Sequence, residues 1–246
     1  MSGGPGYDDA RRSGGARIAG GHGKGGQEIG GGFEATHAVG NANEASHQPE
    51  RFEFDAESEA ALAEIIKRYP PGKQASAVIP ALYLVQRQMK RETGSAWVPR
   101  VAMDVVGERL GMPPIRVYEV ANFYLMFNTK PIGKVHLQVC GTTPCWLRGS
   151  DEVFRACKDA GRLKGYGDTS EDGMFTLTEV ECLGGCVNAP LLQVDDDYYE
   201  DMDYESTVRL IEALRRGERP APGSVIGRQT SAPEGGPQTL LDVPGE

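Results

Sequence analysis

The chain has 246 residues, 39% of them hydrophobic, which is enough apolar surface for one ordinary domain or two small ones. Its 26 basic and 35 acidic residues leave a net charge of −9, which repels a phosphate backbone and excludes nucleic acid as an expected partner. No apolar run reaches the roughly eighteen residues of a membrane span, and no stretch combines a basic start, an apolar middle and a small-residue cleavage site, so neither a span nor a secretion signal is expected.

Residues 1–50 carry 14 of the 33 glycines, as in Gly20-Gly21-His22-Gly23-Lys24-Gly25-Gly26, and show no helical or strand period. Such a segment buries too little surface to offset its ordering entropy and is expected to be a disordered Gly-rich tail. A phosphate-binding loop is excluded there, because Gly25 follows Lys24 where Ser or Thr is needed. His22, His37 and His47 are expected to be solvated bystanders.

From about residue 55 apolar residues recur at helical spacing. Leu62, Ile65, Ile66 and Tyr69 mark one amphipathic helix, and Val78, Ala81, Leu82, Val85 and Met89 mark a second. Pro70-Pro71-Gly72 separates them and Gly94 closes the second. A third helix is predicted over Pro99–Leu110, ended by Gly111. Pro113-Pro114 opens a fourth that runs through Tyr124, with Phe123, Tyr124 and Phe127 expected in the core.

After Lys130-Pro131 the period changes. Val135–Val139 reads as a strand leading into Cys140, Leu147–Ala160 as a helix and Phe175–Val180 as a strand ending at Cys182. Leu191–Val194 and Tyr198-Tyr199 read as two more strands across an acidic turn, and Ser206–Arg216 as a last helix. This order predicts a small α/β layer with a mixed sheet. Pro, Gly and Ser return after Gly217, which predicts an extended tail without its own core.

The chemistry is carried by cysteine. Five cysteines are an odd number, in a chain without export features, which favours metal or redox chemistry over a disulfide framework. Cys140-Gly-Thr-Thr-Pro-Cys145 is a C-x4-C loop and Cys182-Leu-Gly-Gly-Cys186 a C-x3-C loop, each following a predicted strand. Four thiolates complete either a [2Fe–2S] cluster or a tetrahedral zinc site. Zinc favours tight C-x2-C knuckles, whereas these wider loops span a pair of irons.

Gly141, Gly184 and Gly185 allow the backbone to approach, so that amide N–H groups point at sulfur, and Thr142 and Thr143 are further candidate donors. Cys157 reads as a buried free thiol, and neither cysteine pair has the C-x2-C spacing of a redox-active dithiol. His136 reads as structural. Asp195-Asp196-Asp197 with Glu200, Asp201 and Asp203 lacks EF-hand spacing and reads as a solvated turn. No nucleotide fingerprint, nucleophile elbow or metalloprotease helix is present, so no site for a nicotinamide, flavin or organic substrate is expected.

Four segments together resemble a known family. They are Glu119-Val-Ala-Asn-Phe-Tyr-Leu-Met-Phe127, Val139-Cys-Gly-Thr-Thr-Pro-Cys145, Glu181-Cys-Leu-Gly-Gly-Cys-Val-Asn-Ala-Pro190 and Gly227-Arg-Gln-Thr-Ser-Ala-Pro-Glu-Gly-Gly236. They are similar to the NuoE-type, thioredoxin-like [2Fe–2S] subunit of respiratory complex I, an NADH:quinone oxidoreductase, over roughly Phe52 to the C-terminus. The resemblance implies an α+β fold: an N-terminal helical bundle over 51–130, a thioredoxin-like α/β [2Fe–2S] ferredoxin domain over 131–217 and an extended tail over 218–246.

It also implies that Cys140, Cys145, Cys182 and Cys186 hold one cluster for electron transfer. FMN and NADH would be bound by a partner flavoprotein subunit, beside a large iron–sulfur subunit, so that no complete active site lies on this chain. The implied location is the peripheral arm on the cytoplasmic face of a bacterial inner membrane, or alternatively the mitochondrial matrix side. Related subunits of NAD-dependent formate dehydrogenases and hydrogenases remain the alternative host, and a zinc-stabilised adaptor the alternative chemistry.

Overall fold

The computed structural model describes residues 48–233, 235, 236, 238 and 239. The expectations for the Gly-rich segment, including His22, His37 and His47, lie outside the described residues.

Among the described residues four helices come first: α1 (Ala56–Ile66), α2 (Val78–Thr93), α3 (Arg100–Leu110) and α4 (Pro114–Phe123), with a one-turn 3₁₀ helix, Gln74–Ala77, leading into α2. Asp55 caps α1 by accepting from the Ser58 N–H at 2.7 Å, and Gly94 and Gly111 end α2 and α3 in the left-handed conformation that an L side chain disfavours. Leu62, Leu82, Val85, Val98, Val106 and Val117 meet in a continuous apolar core. The aromatic expectation holds only in part. Phe127 is fully buried and meets Tyr83 edge-on with ring centroids 5.1 Å apart, whereas Phe123 is 76% exposed and Tyr124 is half-exposed. Phe123 lies off the helix face that buries Val117 and Ala121, and Tyr124 turns extended where the helix stops, so the phase that would have carried its ring inward is lost.

The second part is a five-stranded mixed sheet. Its strands are β1 (Val135–Cys140), β2 (Phe175–Val180), β3 (Leu192–Val194), β4 (Asp197–Glu200) and β5 (Gly223–Ser224), arranged in the order β2-β1-β3-β4-β5. β1 runs parallel to β2 and antiparallel to β3, and β4 runs parallel to β5. Three helices complete it: the short α5 (Thr143–Leu147), α6 (Ser150–Gly161) and α7 (Tyr204–Arg215). Leu137, Val139, Leu177, Val153, Ile211 and Leu214 share one core. Along β1 the alternate residues His136 and Gln138 are also buried, which is why the strand reads as a continuous buried run.

Two readings change on folding. The acidic segment does turn at Asp195-Asp196, with Asp196 exposed, but its other carboxylates are engaged: Asp195 accepts from the His136 N–H at 3.0 Å and pairs with Lys90 and Arg219, Asp201 pairs with Arg228, and Asp203 caps α7. The chain after Gly217 also joins the sheet, because β5 pairs with β4 and the Arg228–Asp201 pair is almost fully buried. Among the described residues no helix is long and apolar enough to cross a membrane.

Candidate metal centre

The parallel alignment of β1 with β2 brings the cysteine loops together. Cys140 is the last residue of β1 and pairs with Val180, the last residue of β2, so the loops that follow both strands leave the same edge of the sheet. The first loop turns at once into α5, whose Pro144 sits where a missing N–H costs nothing, and this turn folds Cys145 back beside Cys140. The second loop passes Cys182, reverses at Gly184 with φ +84°, and enters a 3₁₀ turn at Cys186.

The thiols stand in two pairs. The Cys182 and Cys186 sulfurs are 3.3 Å apart. Cys145 is buried, and desolvation, with its hydrogen-bonded neighbour Cys140, pushes its thiol up to about 12; it also senses charge on Cys186. Contact with the Cys182 sulfur and partial desolvation raise Cys186, which feels Cys140 as well. Cys182 is exposed and shifts the other way, because the Gly184 N–H donates to its sulfur at 3.4 Å. The pairs therefore face one another, with Cys140 and Cys145 at the dry end and Cys182 at the surface.

Among the described residues no three His, Cys, Asp or Glu side chains surround a single point closely enough to hold one ion. Two pairs of soft thiols suit a [2Fe–2S] cluster, which Cys140, Cys145, Cys182 and Cys186 would hold and which would supply one-electron redox chemistry there. The backbone fits as well. A Cβ on Gly185 would lie 2.9 Å from Cδ1 of the buried Leu191, so glycine lets this loop pack close to its neighbour, whereas one on Gly141 would meet only the movable carboxylate of Glu179. Leu191, Ala189 and Leu183 pack against Cys140 and Cys145, and this apolar wall keeps water from that pair. Trp146, Leu147 and Val187, each close to a cysteine in sequence, are exposed.

The structure sorts the other candidates. Thr142 Oγ1 lies 3.2 Å from Cys140 Sγ, within hydrogen-bond reach. The Gly141 N–H is spent on Val180 O at 3.3 Å, so it is not the sulfur donor that the glycine pattern suggested. His136 stays out of the site, bonded to Thr178 Oγ1 at 2.8 Å. Cys157 is a fully buried thiol raised by desolvation alone. Two residues escaped sequence reasoning. Tyr198 donates to Leu183 O at 3.1 Å, and Asn188 anchors the turn after Cys186 through its side chain. Nothing in the sequence marks Tyr198, because its role depends on strand pairing; Asn188 follows Cys186 closely enough to have been suspected.

Comparison with known proteins agrees with this chemistry. The family model for thioredoxin-like [2Fe-2S] ferredoxins matches residues 62–215. An NADH-quinone oxidoreductase subunit from Rickettsia conorii (strain ATCC VR-613 / Malish 7) is 49% identical over 164 residues, covering 67% of this chain and 95% of the relative. Its counterpart from Rickettsia bellii (strain RML369-C) is 48% identical with the same coverage. Among solved structures, an NAD+-reducing [NiFe]-hydrogenase in the air-oxidised state is 17% identical with a TM-score of 0.47, over 57% of this chain and 23% of that one. Paired thiols at one sheet edge, and a family match that spans both the helices and the sheet, place this chain in the thioredoxin-like [2Fe-2S] ferredoxin family.

Proposed function

We propose that this chain is the small electron-transfer subunit of an NADH:quinone oxidoreductase, holding its [2Fe–2S] cluster on Cys140, Cys145, Cys182 and Cys186. The observation that carries the reading is the convergence of two thiol pairs at one edge of the sheet. The near-complete coverage of the two Rickettsia relatives supports the host enzyme. When bound, the cluster takes up and returns one electron at a time.

The rest is work for this chain's own residues. Leu191 and Ala189 exclude water from the Cys140–Cys145 pair, while Gly184 N–H and Thr142 Oγ1 supply hydrogen bonds toward negatively charged sulfur. The exposed Cys182 edge, with Trp146, Leu147 and Val187 beside it, leaves a side open toward a partner. In this reading that partner is the flavoprotein that binds FMN and NADH, with a large iron–sulfur subunit in the same peripheral arm at the cytoplasmic face of the membrane. Hydride chemistry then belongs to the flavoprotein, and no complete active site lies here. Residues 131–217, joined by β5 from the chain that follows, form the cluster-binding unit, and 51–130 a helical bundle.

The test is a redox titration of protein purified without oxygen, followed by electron paramagnetic resonance with iron and labile-sulfide analysis. Brown protein with equal iron and sulfide and a signal that appears on one-electron reduction is the expected result. Colourless protein filled with zinc defeats the reading.

A further inference from the structure

The second cysteine loop is held from outside by contacts that its own sequence does not contain. Asn188, two residues beyond Cys186, is 4% exposed, and its Nδ2 donates to Glu200 Oε2 at 2.5 Å on β4 and to Thr230 O at 2.7 Å on the chain returning from β5. The Asn188 backbone completes the anchor: its N–H donates to Gly185 O at 2.9 Å, and its carbonyl accepts from Asp201 N–H at 2.8 Å. Its Oδ1 is buried without a partner, so the amide is placed for what its two donors do. Thr230 presents its carbonyl from a left-handed conformation, φ +49°, which a β-branched residue adopts only when its surroundings impose it. At the front of the loop, Tyr198 Oη donates at 3.1 Å to the carbonyl of Leu183, the residue that follows Cys182.

We propose that Asn188 is a positioning residue for the cluster, clamping the Cys182–Cys186 loop to β4 and to the C-terminal chain at Thr230, with Tyr198 holding the loop's front. The proposal rests on the cluster assignment above and adds to it the part of the fold that keeps the exposed pair in place. Cys182 and Cys186 need such a clamp, because the surface pair lacks the apolar wall that encloses Cys140 and Cys145. A loop that opens would separate their sulfurs, break the Gly184 N–H bond to Cys182 and expose the irons to chelators.

The discriminating variant is Asn188→Asp, which keeps the shape of the side chain but sets an acceptor against the Glu200 carboxylate and the Thr230 carbonyl. Iron loss from the anaerobic holoprotein to a chelator should be several-fold faster, and the resonance signal of the reduced form should change its g-values, with helix content unchanged. Pairing it with Glu200→Gln restores a donor opposite the new carboxylate and should recover both readouts in part. Tyr198→Phe should change the g-values in the same way. Amide hydrogen exchange of segment 183–189 in metal-free protein gives an answer independent of the cluster, with faster exchange expected in Asn188→Asp than in wild type. A wild type that binds no iron defeats the cluster assignment, and the exchange comparison still decides the clamp. Equal exchange in the two metal-free proteins, or wild-type chelation rates and g-values in the holoprotein, overturns it.

Discussion

Two cysteines of the same chain show how burial decides what a thiol does. Cys157 lies inside α6 against the sheet core as a free thiol that desolvation lifts. Cys182 lies at the surface with an N–H pointed at its sulfur and a second thiol 3.3 Å away. Cys182→Ser is therefore expected to abolish or severely weaken the cluster's visible absorption, whereas Cys157→Ser should leave it unchanged; a normal spectrum for Cys182→Ser would remove that residue from the ligand set. His136 shows the same principle for a base. Burial pulls its ring from the ordinary 6.5 to about 4, with Lys90 adding to the shift and Asp195 opposing it. Between those values the unfolded chain binds the extra proton, so acid favours unfolding. The contribution is complete above about pH 6.5 and is lost as the pH falls toward 4, by something on the order of 3 kcal/mol. Urea midpoints at pH 7 and pH 5 should diverge more for wild type than for His136→Gln.

Helix α7 shows how an element is fixed by one turn. Asp203 accepts from the Ser206 N–H at 2.7 Å while Ser206 Oγ accepts from the Asp203 N–H at 2.9 Å, a reciprocal cap that satisfies donors which the helix itself leaves open. The cap starts the helix at Tyr204 and so sets the phase that points Leu210, Ile211 and Leu214 at the sheet. Asp203→Ala should cost about 1 kcal/mol, read as a lower thermal midpoint without a change in the cluster spectrum. The Ser206 hydrogen bonds also hold the Asp203 carboxyl below its ordinary value, so the cap's contribution is present above that value and fades in stronger acid. In the helical part, Phe123 lies off the face of α4 that buries Val117 and Ala121 and stays exposed, while Phe127, beyond the end of that helix, fills the helical core.

Across the molecule, a few charged residues link parts that the apolar cores keep separate. Asp195 joins the two halves, receiving Lys90 from α2, the His136 N–H from β1 and Arg219 from the chain beyond α7. Arg228 pairs with Asp201 at 2.6 Å, both side chains less than a tenth exposed, and Ser224 Oγ donates to the same carboxylate at 2.6 Å. Removing one member of such a pair strands the other charge without water. Arg228→Met should therefore destabilise the protein by roughly 3–5 kcal/mol, or release the C-terminal chain, and limited proteolysis within residues 223–230 distinguishes the two outcomes. Replacing Asp201 by Leu in the same protein should recover part of the loss, because the stranded carboxylate is then gone.

The helices between residues 56 and 123, the strands ending at Cys140 and near Cys182, and the four thiols with their spacing were all legible, since each depends on a local period or on residue type alone. Which glycine N–H reaches sulfur was not, because Gly141 spends its donor on Val180 across the β1–β2 register, and register is set by the whole sheet. The ion-paired acidic residues and the docked tail were hidden for the same reason: Asp201 and Asn188 are polar residues in a polar stretch until Arg228 and Thr230 return to them from 27 and 42 residues further along the chain. Composition and spacing thus pointed to four thiols as soft ligands for a metal centre, and the resemblance to a [2Fe–2S] family chose between iron and zinc. Contacts between distant segments decided how tightly it is held, because a hydrogen bond across the fold leaves no periodic trace in the chain that makes it.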